Sequence, residues 1–309
     1  MISLARLLLR RIALLIALLA TVFVAIDLLP GNTARAVLGR DATPDRIAAK
    51  ERELGLDRPL PVRFADWISG VATGDFGRTA RGRSINELLA DKFPPTLLLG
   101  GLALALTVAV SLLLGTWWAA RDGGALRGTL QPASTVAAAV PEFVVATLLI
   151  MVFSLALGWL PAVTVTGRSG LPASPDMLVL PVLALAVPQT GWNTRVVRAA
   201  LLDAARSPHV ESALLDGLST RTVLLRHTLP FALPTIVASF ATTVGVLLGG
   251  SLVVETIFNY PGLGALLAGS VADRDTSLVA AVVALSGVVI MIMLAAADGI
   301  RAWSLRGRG

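Results

Sequence analysis

Cysteine is absent from the 309 residues, and histidine occurs only at His209 and His227. These absences exclude disulfides, zinc–thiolate and iron–sulfur centres, a thiol nucleophile and any multi-histidine metal site. Lysine is nearly missing too. Lys50 and Lys92, preceded by Ala49 and Asp91, cannot close the Gly-x-x-x-x-Gly-Lys-Ser/Thr loop that cradles nucleotide phosphates. His-Glu-x-x-His and Gly-x-Ser-x-Gly are also absent, so no catalytic residue and no metal site are expected. Charged residues make up only 15% of the chain, against about 25% in an ordinary soluble domain. Leu, Ala and Val fill the space instead, and a mean hydropathy of +0.77 points to an integral membrane protein.

A helix needs about 20 mostly apolar residues to cross ~30 Å of hydrocarbon. Six stretches meet that requirement, at 12–29, 96–120, 132–160, 177–197, 229–254 and 278–297. The fourth is the most polar, carrying Pro181, Pro188, Gln189, Asn193 and Arg195. The first follows Arg6, Arg10 and Arg11 as a secretory signal would. Its apolar run is long for a signal and no small-x-small cleavage site follows, so it reads as a retained helix.

Arginine placement sets the orientation. With the N-terminus in the cytoplasm, 13 basic residues fall inside and the two short outer loops hold Arg168 and Arg274 only. Both termini are therefore expected to be cytoplasmic, and the net charge of +6 needs no nucleic acid to explain it. The remaining 11 basic residues share segment 30–95 with nine acids, beyond the loop length over which the charge rule acts. This extracytoplasmic segment has helix-like stretches at 43–54 and 62–71. It fits either a packed cap or a partner-docking surface.

The loop 198–228 is the most informative cytoplasmic segment. Ser207-Pro208 is a helix start, with a capping side chain and then proline where its missing N–H costs nothing. Val210, Ala213 and Leu214 share one face, and Gly217 follows as a stop able to adopt positive φ. Ser219 or Thr220 can cap a second helix, and Pro230 and Pro234 mark re-entry into the membrane. Such a stiff helix–Gly–helix unit either transmits a push from a soluble partner or packs on the bilayer surface.

Glu211-Ser212-Ala213, Gly217 and the later Leu229-Pro230 resemble the Glu-Ala-Ala…Gly signature of ABC importer permeases. Leu28-Leu29-Pro30-Gly31, Glu53-Leu54-Gly55-Leu56-Asp57-Arg58-Pro59 and Gly74-Asp75-Phe76-Gly77-Arg78 resemble the dipeptide, oligopeptide and nickel branch. So do Gly158-Trp159-Leu160-Pro161 and the run from Val254-Glu255-Thr256 to Gly262-Leu263-Gly264, all in family order. Three departures stand out: Ser212 for the second alanine, Asp216 where a basic residue is common, and Asn32-Thr33 after the first span.

The resemblance implies an all-α membrane protein, a six-span permease of the type I ABC importer kind in a bacterial inner membrane. Its partners would be a second homologous permease, two cytoplasmic ATPase subunits and an extracytoplasmic binding protein. ATP and Mg would sit on the ATPase chains, with no cofactor on this one. The substrates implied are di- or oligopeptides, or alternatively nickel, haem or glutathione. Glu211, Ser212, Ala213, Gly217, Leu229 and Pro230 would couple the spans to the ATPases.

Ionisable groups at membrane depth are costly and mark candidate sites. Counting residues puts Glu142 about ten residues into the third span, ~15 Å deep. It is either a lining residue of the translocation path or a bond to a neighbouring helix. Gln189, Thr190 and Asn193 form a polar stripe that fits the path or inter-helix bonds. Ala241, Gly245 and Gly249 offer small-xxx-small packing, suited to a second subunit or to this chain's own helices. An ion-coupled secondary transporter, the rival class, would show inverted repeats and paired midplane acids, whereas Glu142 stands alone.

Overall fold

Hydrocarbon offers no partner to backbone N–H and C=O groups, so a chain this apolar must satisfy them internally, which helices do. The computed structural model describes residues 4–28, 33–39, 41–120, 125–167 and 170–306. Among these residues there is no strand; two isolated antiparallel bridges join Arg78 to Ser84 and Thr166 to Pro172. Leu29, Pro30, Gly31, Asn32, Arg121, Arg168 and Arg308 lie outside the described residues.

Four helical stretches are long and apolar enough to cross a membrane: Leu9–Asp27, Ile85–Ala120, Thr220–Ile257 and Thr276–Gly299. A bent pair makes a fifth if its two halves are counted as one span. Its halves, Gly128–Ala139 and Glu142–Ala156, meet at 101°, which corrects the expectation of one continuous third span. Pro141 lacks an N–H and disfavours helical backbone at the residue before it, so the first half ends at Ala139. The depth assigned to Glu142 assumed a straight helix and does not hold. The expected fourth span lies within a 30-residue helix, Asp176–Ala205, long enough to cross but kept out of the apolar set by Gln189, Asn193, Arg195 and Arg198.

The chain divides into two units, Met1–Thr96 with Pro261–Val289 and Leu97–Tyr260 with Ile290–Gly309. The first contains α1 (Leu4–Asp27), α2 (Thr33–Leu38), α3 (Pro44–Glu53), α4 (Leu60–Ala72), the start of α5 (Ile85–Ala120) and, from its later segment, helix Leu263–Ala272. α3 and α4 realise the two helical stretches read in segment 30–95. Helix α5 runs through Pro94 and Pro95 and begins well before them, so the non-spanning segment is shorter than expected. Phe23 packs edge-on against Phe64 at 5.3 Å and tilted on Trp67 at 5.2 Å, and Ile85, Leu88, Leu263 and Ala280 complete this core.

A strap at 73–84 is pinned in the same unit by one buried carboxylate. Asp275 Oδ2 accepts the N–H of Ala80 at 2.6 Å, its Oδ1 accepts that of Leu278 at 3.1 Å, and Arg81 pairs with Asp273 at 2.9 Å. Asp275 thereby caps the start of the last helix, Thr276–Arg306. Burial pushes its carboxyl above the usual range, and the two N–H donors oppose that shift only in part.

The second unit contains α6 (Ala125–Ala139), α7 (Glu142–Leu149, continued in π register over Ile150–Ala156), α8 (Asp176–Ala205), α9 (Pro208–Leu215), α10 (Thr220–Thr222) and α11 (Leu229–Ile257). α8 packs on α6, α7 and α11. Two close approaches need glycine: a Cβ on Gly115 would lie 2.6 Å from Val197 Cγ1, and one on Gly191 would lie 2.7 Å from the Ser134 carbonyl.

Asp275→Asn should loosen the strap, because one of two buried N–H groups would face an amide N–H₂, a loss of about 1–3 kcal/mol. Thermal melting in detergent and amide exchange at Ala80 check this; unchanged melting and protection would contradict it. The folded pKa is raised, so this group's stabilising contribution is full below the usual carboxylate range and is lost as pH rises through the shifted value. The asparagine variant should lack that pH slope.

Candidate functional site

The loop after α8 is built as a short helix between two backbone reversals. Ser207 is extended (φ −78°, ψ 144°) and Pro208 opens α9. The serine hydroxyl does not cap the helix as expected; it donates to the Ala204 carbonyl at 2.6 Å. α9 ends with Leu218 N–H on the Ala213 carbonyl at 3.2 Å and Gly217 N–H on Leu214 at 3.1 Å, with Gly217 at φ +76°. That is the positive-φ stop read from the sequence, and only glycine takes it without strain. Ser219 is the second cap, its Oγ accepting the N–H of Thr222 at 3.3 Å.

The helix then runs without interruption from Thr220 to Ile257, through both Pro230 and Pro234, where the sequence suggested a boundary. Its register widens to π over Val223–Thr228, just ahead of Pro230, which has no N–H to offer the Arg226 carbonyl. Leu229 packs among Val197, Leu201, Ala232 and Ile236, rooting α11 on α8.

Val210 and Ala213 bury against Val223, but Leu214 does not join them as expected: it is 53% exposed. One short helix cannot turn 213, 214 and 215 inward together, so Glu211, Leu214 and Leu215 lie on its outer face at i, i+3 and i+4, with Leu218 exposed just beyond the Gly217 stop. Leu215 is 83% exposed. Three surface leucines beside Glu211 and Ser212 are the feature of this loop that sequence reasoning missed; the Leu214-Leu215 pair was its signal.

Glu142 opens α7 half-buried, and a Cβ on Gly250 of α11 would lie 2.9 Å from its Oε1. The glycine thus leaves the carboxylate its space against α11. Asn193 makes inter-helix bonds, one of the two readings given for the polar stripe. It is fully buried, its Nδ2 donates to Thr243 Oγ1 at 2.8 Å and to the Gln189 carbonyl at 2.8 Å, and Ser239 Oγ donates to its Oδ1 at 2.7 Å. It clamps α8 to α11. Gln189 is half-buried, with its side chain outside that clamp.

Along α11, Ala241 is buried within this chain. Gly245 lies opposite Ile290, at 3.8 Å from a would-be Cβ, while Gly249 faces open space among exposed Val246 and Val253. Glu255 is fully buried, whereas Asp27, near the end of the first span, pairs with Arg63 at 2.9 Å. Among the described residues no group of three or more His, Asp or Glu stands where it could hold a metal ion.

Comparison with known proteins matches these features to one family. Residues 111–308 fit the model of the binding-protein-dependent transport system inner membrane component, and residues 3–99 fit the model of its N-terminal part. The chain is 32% identical to a probable peptide ABC transporter permease, y4tP, of Sinorhizobium fredii, over 93% of this chain and 94% of that one. It is 35% identical to the glutathione transport system permease GsiC of Salmonella typhimurium, over 85% and 84%. Among solved structures, the inward-facing MetNI methionine ABC transporter superposes with a TM-score of 0.53 at 19% identity, over 71% of this chain and 94% of that one. An amino acid ABC transporter solved with histidines gives 0.50 at 18%, over 68% and 92%. At such identities the two structures speak for the shared fold. With most of its length matched by the family model and by these relatives, the chain belongs to the binding-protein-dependent inner membrane components and is a permease of an ABC importer.

Proposed function

We propose that this permease forms the translocation path for di- and oligopeptides in an ATP-driven importer. The complex would be completed by a second homologous permease, two cytoplasmic ATPase subunits and an extracytoplasmic binding protein. ATP and Mg belong to the ATPase chains. Both termini are assigned to the cytoplasm on the 13-to-2 division of basic residues. The names of the relatives support a peptide-like substrate: one is a peptide permease, and glutathione is itself a modified tripeptide.

The coupling role rests on one observation. The leucine-rich outer face of α9, ended at Gly217, belongs to a unit whose second half is continuous with α11. A partner pressing on Glu211, Ser212, Leu215 and Leu218 would load α11 directly, because Ala213 beneath them packs on Val223, and Leu229 and Pro230 form the root of that helix. At its far end α11 meets Glu142, whose carboxylate suits the ammonium terminus of a peptide. Gln189 and the open face at Gly249 would line the route or meet the second permease.

A Cβ on Gly217 would meet nothing within 4 Å, so a substitution there acts through its φ of +76° alone. Gly217→Val should cost about 1 kcal/mol or more in that conformation, while Gly217→Asn, tolerant of positive φ, should cost less. In proteoliposomes containing the full complex, the valine variant should assemble but lose substrate-stimulated ATP hydrolysis and uptake, with asparagine intermediate. Glu211→Ala should shift both readings the same way. Normal coupling in the Val and Ala variants would show the loop to be scaffold.

Glu142→Gln removes a charge-assisted bond to the substrate amine worth about 1.5 kcal/mol, or roughly tenfold in uptake. Labelled dipeptide uptake checks this. An assembled variant transporting at the normal rate would remove Glu142 from the path.

A further inference from the structure

The chain's two histidines, 18 residues apart, meet in the folded loop. His209 Nε2 lies 3.0 Å from the His227 carbonyl oxygen. A carbonyl only accepts, so Nε2 carries the proton and donates. The same imidazole stacks on Phe231, with centroids 3.9 Å apart and planes inclined at 31°. His227 and Phe231 are one helical turn apart, so the ring bridges successive turns on one face of the helix that becomes α11.

We infer that His209 is a positioning residue, a latch that fastens α9 to the root of α11 and so delivers loop motion to that span. This rests on the coupling role proposed above. The residues against which His209, Val210 and Ala213 rest are His227, Phe231 and Val223, all within 223–231. Val210 and Ala213 hold the inner face of α9 by apolar contact, which is non-directional and lets the helix slide or roll. The His209 hydrogen bond is the directional part, and it fixes the N-terminal end of α9 in one register.

The attachment point adds to this. The His227 carbonyl belongs to the π-register stretch Val223–Thr228. π turns are rare inside α-helices and are frequent at functional sites. A pull on that carbonyl therefore acts on the irregular turn that leads into α11. From there a rigid helix carries displacement over 23 residues to Gly250, roughly 35 Å at 1.5 Å per residue, where it meets Glu142.

Two substitutions separate the donor from the bulk. His209→Phe keeps a ring on Phe231 and loses the N–H; His209→Gln loses the ring and keeps a donor of similar reach. Both are measured in the full complex in proteoliposomes, as the ratio of substrate-stimulated to basal ATP hydrolysis and as uptake. His209→Phe should lower the ratio about threefold to tenfold, the weight of one such hydrogen bond, with His209→Gln restoring most of it. Amide exchange across 208–216 should speed up in the phenylalanine variant and return in the glutamine variant. Wild-type coupling in His209→Phe beside an uncoupled Gly217→Val would overturn the latch and leave the coupling loop intact. Equal loss in Phe and Gln variants would overturn it also, marking the ring as packing only. Wild-type coupling in all three, Gly217→Val included, would remove the coupling role and the latch with it.

Discussion

Inside hydrocarbon a backbone amide must find its partner within the protein, and that requirement governs where this chain departs from the helix. Each departure has a local chemical cause and a consequence for the candidate site. Pro141 withholds an N–H, the bent pair of helices follows, and Glu142 becomes the first residue of α7 instead of a point along a straight span. Pro230 withholds another, and α11 is preceded by a π turn instead of a break. Where the chain leaves helix outside the apolar stretches, as at 73–84, a buried carboxylate on Asp275 takes the Ala80 N–H of that segment together with the Leu278 N–H of the last helix.

Helix α11 connects most of the features of the second unit. His209 meets its root at His227, Asn193 clamps its middle through Ser239 and Thr243, and Gly250 makes room for Glu142 further along. Polar clamps of this kind are each worth a modest amount in a membrane, about 0.6–2 kcal/mol, but they are directional where apolar packing is not. A helix held by directional contacts at two levels, His227 and Ser239/Thr243, is tied to its neighbours along much of its length. That property suits the proposed relay of a push from the loop to a carboxylate far along the same helix.

Much of this was legible in the sequence because it depended on local chemistry. Runs of apolar residues located the long helices, Gly217 announced a positive-φ stop, and Ser219 announced a cap. The features that escaped depend on tertiary choice. Nothing local says which of Ala213, Leu214 and Leu215 turns inward, since all three are apolar and one face only is covered. Asn193 looked like path lining because a polar residue in a span has two fates, and only the positions of Ser239 and Thr243 decide between them. Pro94 and Pro95 looked like a helix boundary, yet α5 continues through them. The meeting of His209 with His227 is a contact across the loop, and the spacing of the two residues carries no sign of it.

The outer face of α9 is the surface proposed to meet the ATPase. Because the chain has no cysteine, Leu215→Cys gives one reactive position, 83% exposed, for a maleimide-linked photo-crosslinker. In the assembled complex it should crosslink to an ATPase subunit, and the yield should change when ATP is bound. Val62→Cys in α4, also exposed, should give no such product. A Leu215→Cys chain that yields no ATPase crosslink, or that reacts with an impermeant reagent from the extracytoplasmic side, would contradict both the docking face and the orientation.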